Sequence, residues 1–166
     1  MARAPVGKKK IHHMDFETLV EVNKEVVALT GERHGYSRAD GEKLSKLIEE
    51  VELRADNQDY EEAVAEKAAL LMYKVASGQY FHAGNKRTAI VAGLAFLAKN
   101  GYALDIRKEE FVSTVDKAGI AAADLDDLYA VIMGLVTKSK TERKGWDGAV
   151  KGVVASNKEF LTRLAS

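Results

Sequence analysis

Gly84-Asn85-Lys86-Arg87-Thr88-Ala89-Ile90-Val91-Ala92-Gly93-Leu94-Ala95-Phe96-Leu97-Ala98 decides how this chain folds. No residue from Thr88 to Ala98 is charged. A helix that is apolar all round has no face to give to water, so it belongs at the centre with other helices around it. The run is too short to span a bilayer. Its beginning has a different character. Gly84 and Asn85 supply a tight entry, and Lys86 and Arg87 place two cations on the first turn. The first N–H groups of a helix have no intrahelical partners and carry the positive end of its dipole, so this is a good anion site. Lys86 and Arg87 add formal charge and directed donors there.

Outward from this stretch, the pattern stays helical. Pro5 is the only proline. Toward the N-terminus, Phe16, Leu19, Val20, Asn23 and Val26-Val27 recur at helical spacing and predict a helix over about 15–29, stopped at Thr30-Gly31. A second is expected from Ser37 or Asp40 through Leu44, Leu47, Ile48 and Val51. A third opens at Asp59, where Glu62 three residues on suggests a capping pair, and stops at Ser77-Gly78. Past the central helix, Asn100-Gly101 predicts a left-handed cap, and residues 102–106 a short extended segment. Helices are expected over about 108–118 and from Asp124 to Leu135, with Asp124, Asp126 and Asp127 as charges at a helix start. The fold class is therefore all-α, a helical bundle around one apolar helix. Its parts are a flexible basic tail (1–10), a helical domain (11–136), a polar linker (137–146) and an amphipathic C-terminal helix (147–166). Val150, Val153, Val154, Leu161 and Leu164 share a face of that last helix. They can dock on the same core, on a second copy or on a partner.

Composition narrows the function. At 166 residues with formal net charge +0, the chain reads as one domain with no global electrostatic case for nucleic acid or membrane binding. Lys8-Lys9-Lys10 is a short solvated run. Without cysteine there is no thiol catalysis, disulfide or thiolate metal site. No apolar region follows the basic N-terminal residues as a secretory signal would require, and a cytoplasmic location is expected. His12-His13 and His34 lack zinc-ligand spacing, and residues 56–59 lack the glycine and distal glutamate of a calcium loop, so no metal site is expected.

Gln79-Tyr80-Phe81-His82-Ala83-Gly84-Asn85-Lys86-Arg87-Thr88 resembles the motif of the Fic/Doc (Fido) family, His-x-Phe-x-(Asp/Glu)-Gly-Asn-(Gly/Lys)-Arg, and the Asn-Lys-Arg-Thr-Ala form at 85–89 looks most like its Doc (death-on-curing) branch. The resemblance extends over about 11–136, with Ala68-Ala69-Leu70-Leu71 before the motif and residues 96–102 after it. It implies a Fido-type helical fold and an enzyme in which a histidine deprotonates a protein hydroxyl that then attacks a nucleotide phosphate, transferring AMP or phosphate. It also implies Gly84, Asn85, Lys86 and Arg87 as the phosphate- or nucleotide-binding residues, ATP or another nucleotide as ligand, and a target protein or antitoxin-like protein as partner.

The same alignment puts Gln79 where the family has its catalytic histidine. A primary amide does not accept a proton near neutral pH. Ala83 falls where the family has the acid that holds Mg²⁺, and offers no ligand. Two further polar positions fall on Ile90 and Val91. The motif is degenerate in this alignment. The expected protein keeps a phosphate-binding helix N-terminus and lacks efficient transfer. His82, three residues past the missing base, is the one substitute within reach of a change in loop register. An active Doc-like kinase or AMP-transferase toxin with a displaced base, or a ligand-free helical interaction protein, are the alternatives. The inhibitory pattern (Ser/Thr)-x-x-x-Glu-(Gly/Asn) of some relatives is not matched: Ser45 and Glu49 are followed by Glu50. The C-terminal helix is also the expected surface for any homo-oligomer.

Overall fold

A computed structural model describes residues 9–56, 58–141 and 144–164. Among these the order is α1 (Phe16–Thr30), α2 (Arg38–Leu53), α3 (Tyr60–Gly78), α4 (Asn85–Lys99), β1 (Tyr102–Ala103), α5 (Glu109–Gly119), α6 (Leu125–Leu135), β2 (Thr137–Lys138), α7 (Trp146–Ser156) and α8 (Lys158–Arg163). The fold is all-α apart from one antiparallel pair, Tyr102 opposite Lys138 and Ala103 opposite Thr137.

The uncharged run is the hub. Every residue from Arg87 to Leu97 in α4 is buried. α3 lies along one side of it and α1 and α7 along others, while α5 and α6 pack against α3 and each other, with α5 also touching α4. α3 and α4 come close because position 93 is glycine: a Cβ there would lie 2.4 Å from Cγ and Sδ of Met72. Met72 and Phe96 are fully buried at this contact layer.

Local chemistry sets the helix ends. The Asp15 carboxylate accepts from Thr18 N, the Ser37 side chain accepts from Asp40 N, and Asp124 and Asp127 form a reciprocal capping box on α6. Gly31 and Gly101 take the positive φ values, 70° and 90°, that stop α1 and α4. One expected cap is absent. Asp59 precedes α3 without a side-chain cap bond, and the turn is closed by the backbone, Ala63 N to Asp59 O at 2.8 Å. The second helix ends in an unexpected way. Lys67 of α3 is fully buried, and its amine donates to Val51 O at 3.0 Å, Glu52 O at 2.6 Å and Asp56 Oδ1 at 3.3 Å. It satisfies carbonyls that the end of α2 leaves open. Burial pushes this amine's pKa down and Asp56 partly offsets that.

Two expectations for the C-terminal region need correcting. The stretch 137–146 is not wholly a linker, because Thr137 and Lys138 pair with the short extended segment. The C-terminal helix is two helices. At Asn157 the side chain donates to Val153 O at 2.9 Å, and the backbone N–H is shared between Val153 O and Val154 O. An asparagine that binds its own helix's carbonyls competes with helical continuation, and the chain turns there. Val150, Val154, Leu161 and Leu164 are all buried within this chain, α7 against α4 and α1 and α8 against α1. Of the expected tail, only residues 9 and 10 lie within the described residues, and Lys9 sits over the Tyr60 ring at 5.3 Å.

The notch at Gly93 gives a direct test of the packing. Gly93→Ala gains about 1 kcal/mol of helix propensity, but its methyl cannot coexist with Met72 as placed. The net expectation is a loss of about 1–3 kcal/mol in urea unfolding, and a smaller loss when Gly93→Ala is introduced into a Met72→Ala background, where the clash is gone.

Candidate functional site

The turn from α3 to α4 carries the motif, and its geometry is fixed by side chains that serve the backbone. Gln79 ends α3 in a left-handed conformation (φ 52°). Its amide donates to Ala76 O at 3.0 Å, and its Oε1 accepts from Asn85 Nδ2 at 3.4 Å. Asn85 closes the loop on itself, accepting from Phe81 N at 3.0 Å and donating to Phe81 O at 2.9 Å. Gly84 holds φ 73°, and a Cβ there would come 2.9 Å from Val27 Cγ1. Glycine is required at this position both for its conformation and for the close approach of α1.

From the other side, α1 contributes Asn23, which is completely buried. Its Nδ2 donates to Ala83 O at 2.9 Å and Thr88 Oγ1 at 3.0 Å, and its Oδ1 lies 2.7 Å from His34 Nδ1. With the amide nitrogen committed as donor, His34 carries its proton on Nδ1. Burial, and then Lys24, lower the pKa of His34. Phe81 is buried among the rings of His34 and Tyr36. His82 N donates to Gly35 O at 2.8 Å, and the imidazole rests on Gly35, where a Cβ would be 2.5 Å from Nδ1. Asn23 carried no functional reading in the sequence. Its place on the buried face of the first helix, as the one polar residue among valines and leucines, was the available signal.

The loop and the start of α4 open onto a cavity of about 590 Å³, with Gln79, His82, Ala83, Gly84, Asn85, Lys86 and Arg87 in its wall. Glu32, Ala76, Asp116, Gly119 and Ile120 complete it. The candidate site residues singled out between Gln79 and Arg87 thus share one cavity, while Ile90 and Val91 are not in its wall. No side chain caps α4. Both cations have protein partners. Lys86 Nζ is 2.6 Å from Asp116 Oδ1. Arg87 is buried. Its Nε donates to Leu161 O at 2.7 Å and its Nη2 to Leu164 O, which caps the end of α8. Its Nη1 is buried without a hydrogen-bond partner and stands 3.7 Å from Glu32 Oε1. Arg87 therefore makes a salt-bridge contact to Glu32, and the larger part of its bonding is a backbone clamp on α8.

For a divalent cation the wall is a poor fit. Ala83 provides no oxygen from its side chain. The two carboxylates present are committed, Asp116 to Lys86 and Glu32 to Thr30 Oγ1, which donates at 2.6 Å, and to the neighbourhood of Arg87. Among the described residues, no group of three His, Cys, Asp or Glu side chains converges on a point. Also among these residues, no helix is long and apolar enough to cross a membrane.

A sequence model of the Fic/DOC family matches residues 9–97. The chain belongs to the Fic/DOC family. The match takes in α1 to most of α4, so it contains the motif loop and the Asn23 network and stops short of α5 to α8. Neither the curated proteins nor the solved structures contain a match to this chain.

The half-buried imidazoles predict an acid-sensitive fold. The pKa values of His13 and His34 are both lowered, chiefly by burial. The unfolded chain therefore takes up these protons first, near the ordinary value of about 6.5. Stability falls as pH drops through that value and levels off once the folded imidazoles are charged. Urea midpoints from pH 7.5 to 5 should decline, and less steeply in His34→Gln.

Proposed function

We propose that this Fic/DOC-family protein binds the phosphate groups of a nucleotide, or a comparable anion, at the start of α4, and transfers AMP or phosphate to protein hydroxyls inefficiently or not at all. The observation that carries the first half is the buried, unpartnered Nη1 of Arg87 beside a cavity at an uncapped helix N-terminus. A donor buried without an acceptor costs free energy, and an oxyanion in the cavity would supply one. The motif sequence at 85–89 supports the Doc branch. A nucleotide such as ATP suits the size class of the cavity. An antitoxin-like or target protein is the partner class this reading implies.

Gln79 and Ala83 support the second half. In the family alignment they occupy the base and metal-acid positions. Gln79 is held by Ala76 O and Asn85 as a structural amide, and cannot take up a proton. A general base is worth about 10²–10⁴ in rate. The residues present do not fit a Mg²⁺ site, and no step is routed through one.

A second reading has one observation in its favour. His82 is exposed on the wall of the same cavity. Phosphoryl transfer depends mostly on positioning and electrostatics, so a displaced base is chemically sufficient. Under this reading His82→Ala abolishes a transfer activity that wild type possesses.

Calorimetry with nucleoside triphosphates, with and without Mg²⁺, tests the proposal. Arg87→Ala is a poor probe, because it also strips the acceptors on α8 of their donor. Lys86→Ala and Glu32→Gln are cleaner. The first should weaken binding. The second removes a carboxylate 3.7 Å from Arg87 and should tighten it about three- to tenfold. Absence of heat and of any ligand-induced rise in melting temperature would leave the protein a ligand-free interaction module. Transfer by wild type within tenfold of Gln79→His would reject the claim of impaired chemistry.

A further inference from the structure

We infer that the C-terminal helix α8 is a working part of the anion site: it clamps one edge of the Arg87 guanidinium and so presents the other edge to the ligand. The inference rests on the anion-binding reading above. The guanidinium is planar, with its N–H donors in a fixed fork. Nε and Nη2 form one edge, and both donate to α8 carbonyls, Leu161 O and Leu164 O. With that edge held, the plane and the direction of the remaining edge are set. Nη1 is what remains. It is buried and unpartnered, and its neighbour at 3.7 Å is Glu32, which lines the cavity together with Arg87.

The clamp is made between distant parts of the chain. Leu161 is 74 residues from Arg87 and outside the span matched by the family model. α8 itself is only six residues long. Within α8, Leu161 O accepts a long bond from Leu164 N at 3.4 Å, and Arg87 adds a donor to each of Leu161 O and Leu164 O, so the end of the helix and the guanidinium hold each other. Leu161 is fully buried beneath this contact, and Leu164 is nearly so. A flexible arginine would lose its freedom when the ligand arrives. Here that ordering has already occurred on folding, which favours affinity. Because the coupling is reciprocal, an anion on Nη1 must also tighten the seating of α8.

The test uses the full chain and inorganic pyrophosphate. Leu161→Ala loosens α8 without touching the cavity, and calorimetry should show affinity weakened about three- to tenfold. Leu47→Ala in α2 is the control: a core deletion, in a helix that packs on α3 and α1, that lowers the melting temperature while leaving affinity within twofold of wild type. In wild type, pyrophosphate should slow hydrogen exchange across residues 158–164, a response that a purely structural helix would not give. If Leu161→Ala does not fold, Leu164→Ala at the end of α8 makes the same comparison. Unchanged or tighter binding in the α8 variants overturns the inference while leaving the anion site standing. Tighter binding would mean that α8 competes for Arg87 rather than aiming it. No pyrophosphate binding by wild type overturns the anion-site reading, and this inference falls with it.

Discussion

A guanidinium in the interior is the constraint around which the site is built. Arg87 stands buried on the first turn of a helix that is uncharged from Thr88 to Ala98, so its charge is not turned out to water. Leaving such a group without partners is costly, and removing one member of a buried charged arrangement typically destabilises by about 3–5 kcal/mol. The chain answers with two backbone carbonyls from α8 and a carboxylate from the turn after α1. These three contacts draw the C-terminal segment and the α1–α2 connection onto the motif helix. The cavity is the space that these elements leave beside α4.

The same logic explains the number of amides in the neighbourhood. A turn that joins two largely buried helices has peptide groups outside either helix's own bonding pattern. Asn85 satisfies both backbone groups of Phe81, Gln79 satisfies Ala76 O, and Asn23 satisfies Ala83 O. Each is a neutral group that can donate and accept at once, which a charged residue cannot do. Gly84 then supplies the one conformation and the one close approach that any side chain would block. The proposed phosphate cradle and a well-satisfied structural turn thus call on the same residues. For Asn85, Gln79 and Gly84 the structural duties are visible in full. For Lys86 and Arg87 the carboxylates that stand beside them mark where a competing anion would act.

How much of this was legible follows from range. Local chemistry was readable: the caps at Asp15, Ser37 and Asp124, the stops at Gly31 and Gly101, and the central place of α4 all follow from neighbours within a few residues. The motif loop was readable as a unit because its residues are contiguous, and they do line one cavity. What depends on distant chain was not. Lys67 has the spacing of an ordinary helical lysine, and only the end of α2 beneath it makes it a buried cap. The break at Asn157 requires knowing that its amide turns back onto Val153 O. Asn23 sat in plain view on an apolar face, but its partners Ala83 and Thr88 are 60 and 65 residues away.

The charges around the cavity come in matched pairs, and this bears on what the site can do. Lys86 faces Asp116, from α5, and Arg87 faces Glu32, from the turn after α1. A site built only to attract anions would leave its cations unopposed. An anion binding here, as proposed, would have to displace or tolerate a carboxylate at each. Lys86 and Asp116 are partly exposed, so their pair is weak and readily exchanged. Arg87 is different, since its clamp on α8 does not depend on Glu32 and persists when the carboxylate moves aside. The arrangement therefore separates two roles within one side chain. One edge of Arg87 holds the fold together permanently. The other is held in reserve by a carboxylate at a distance too long for a hydrogen bond. A buried donor that the protein has positioned but not satisfied is the part of this residue that the fold itself leaves unexplained, and it is the ground on which the proposed anion site rests.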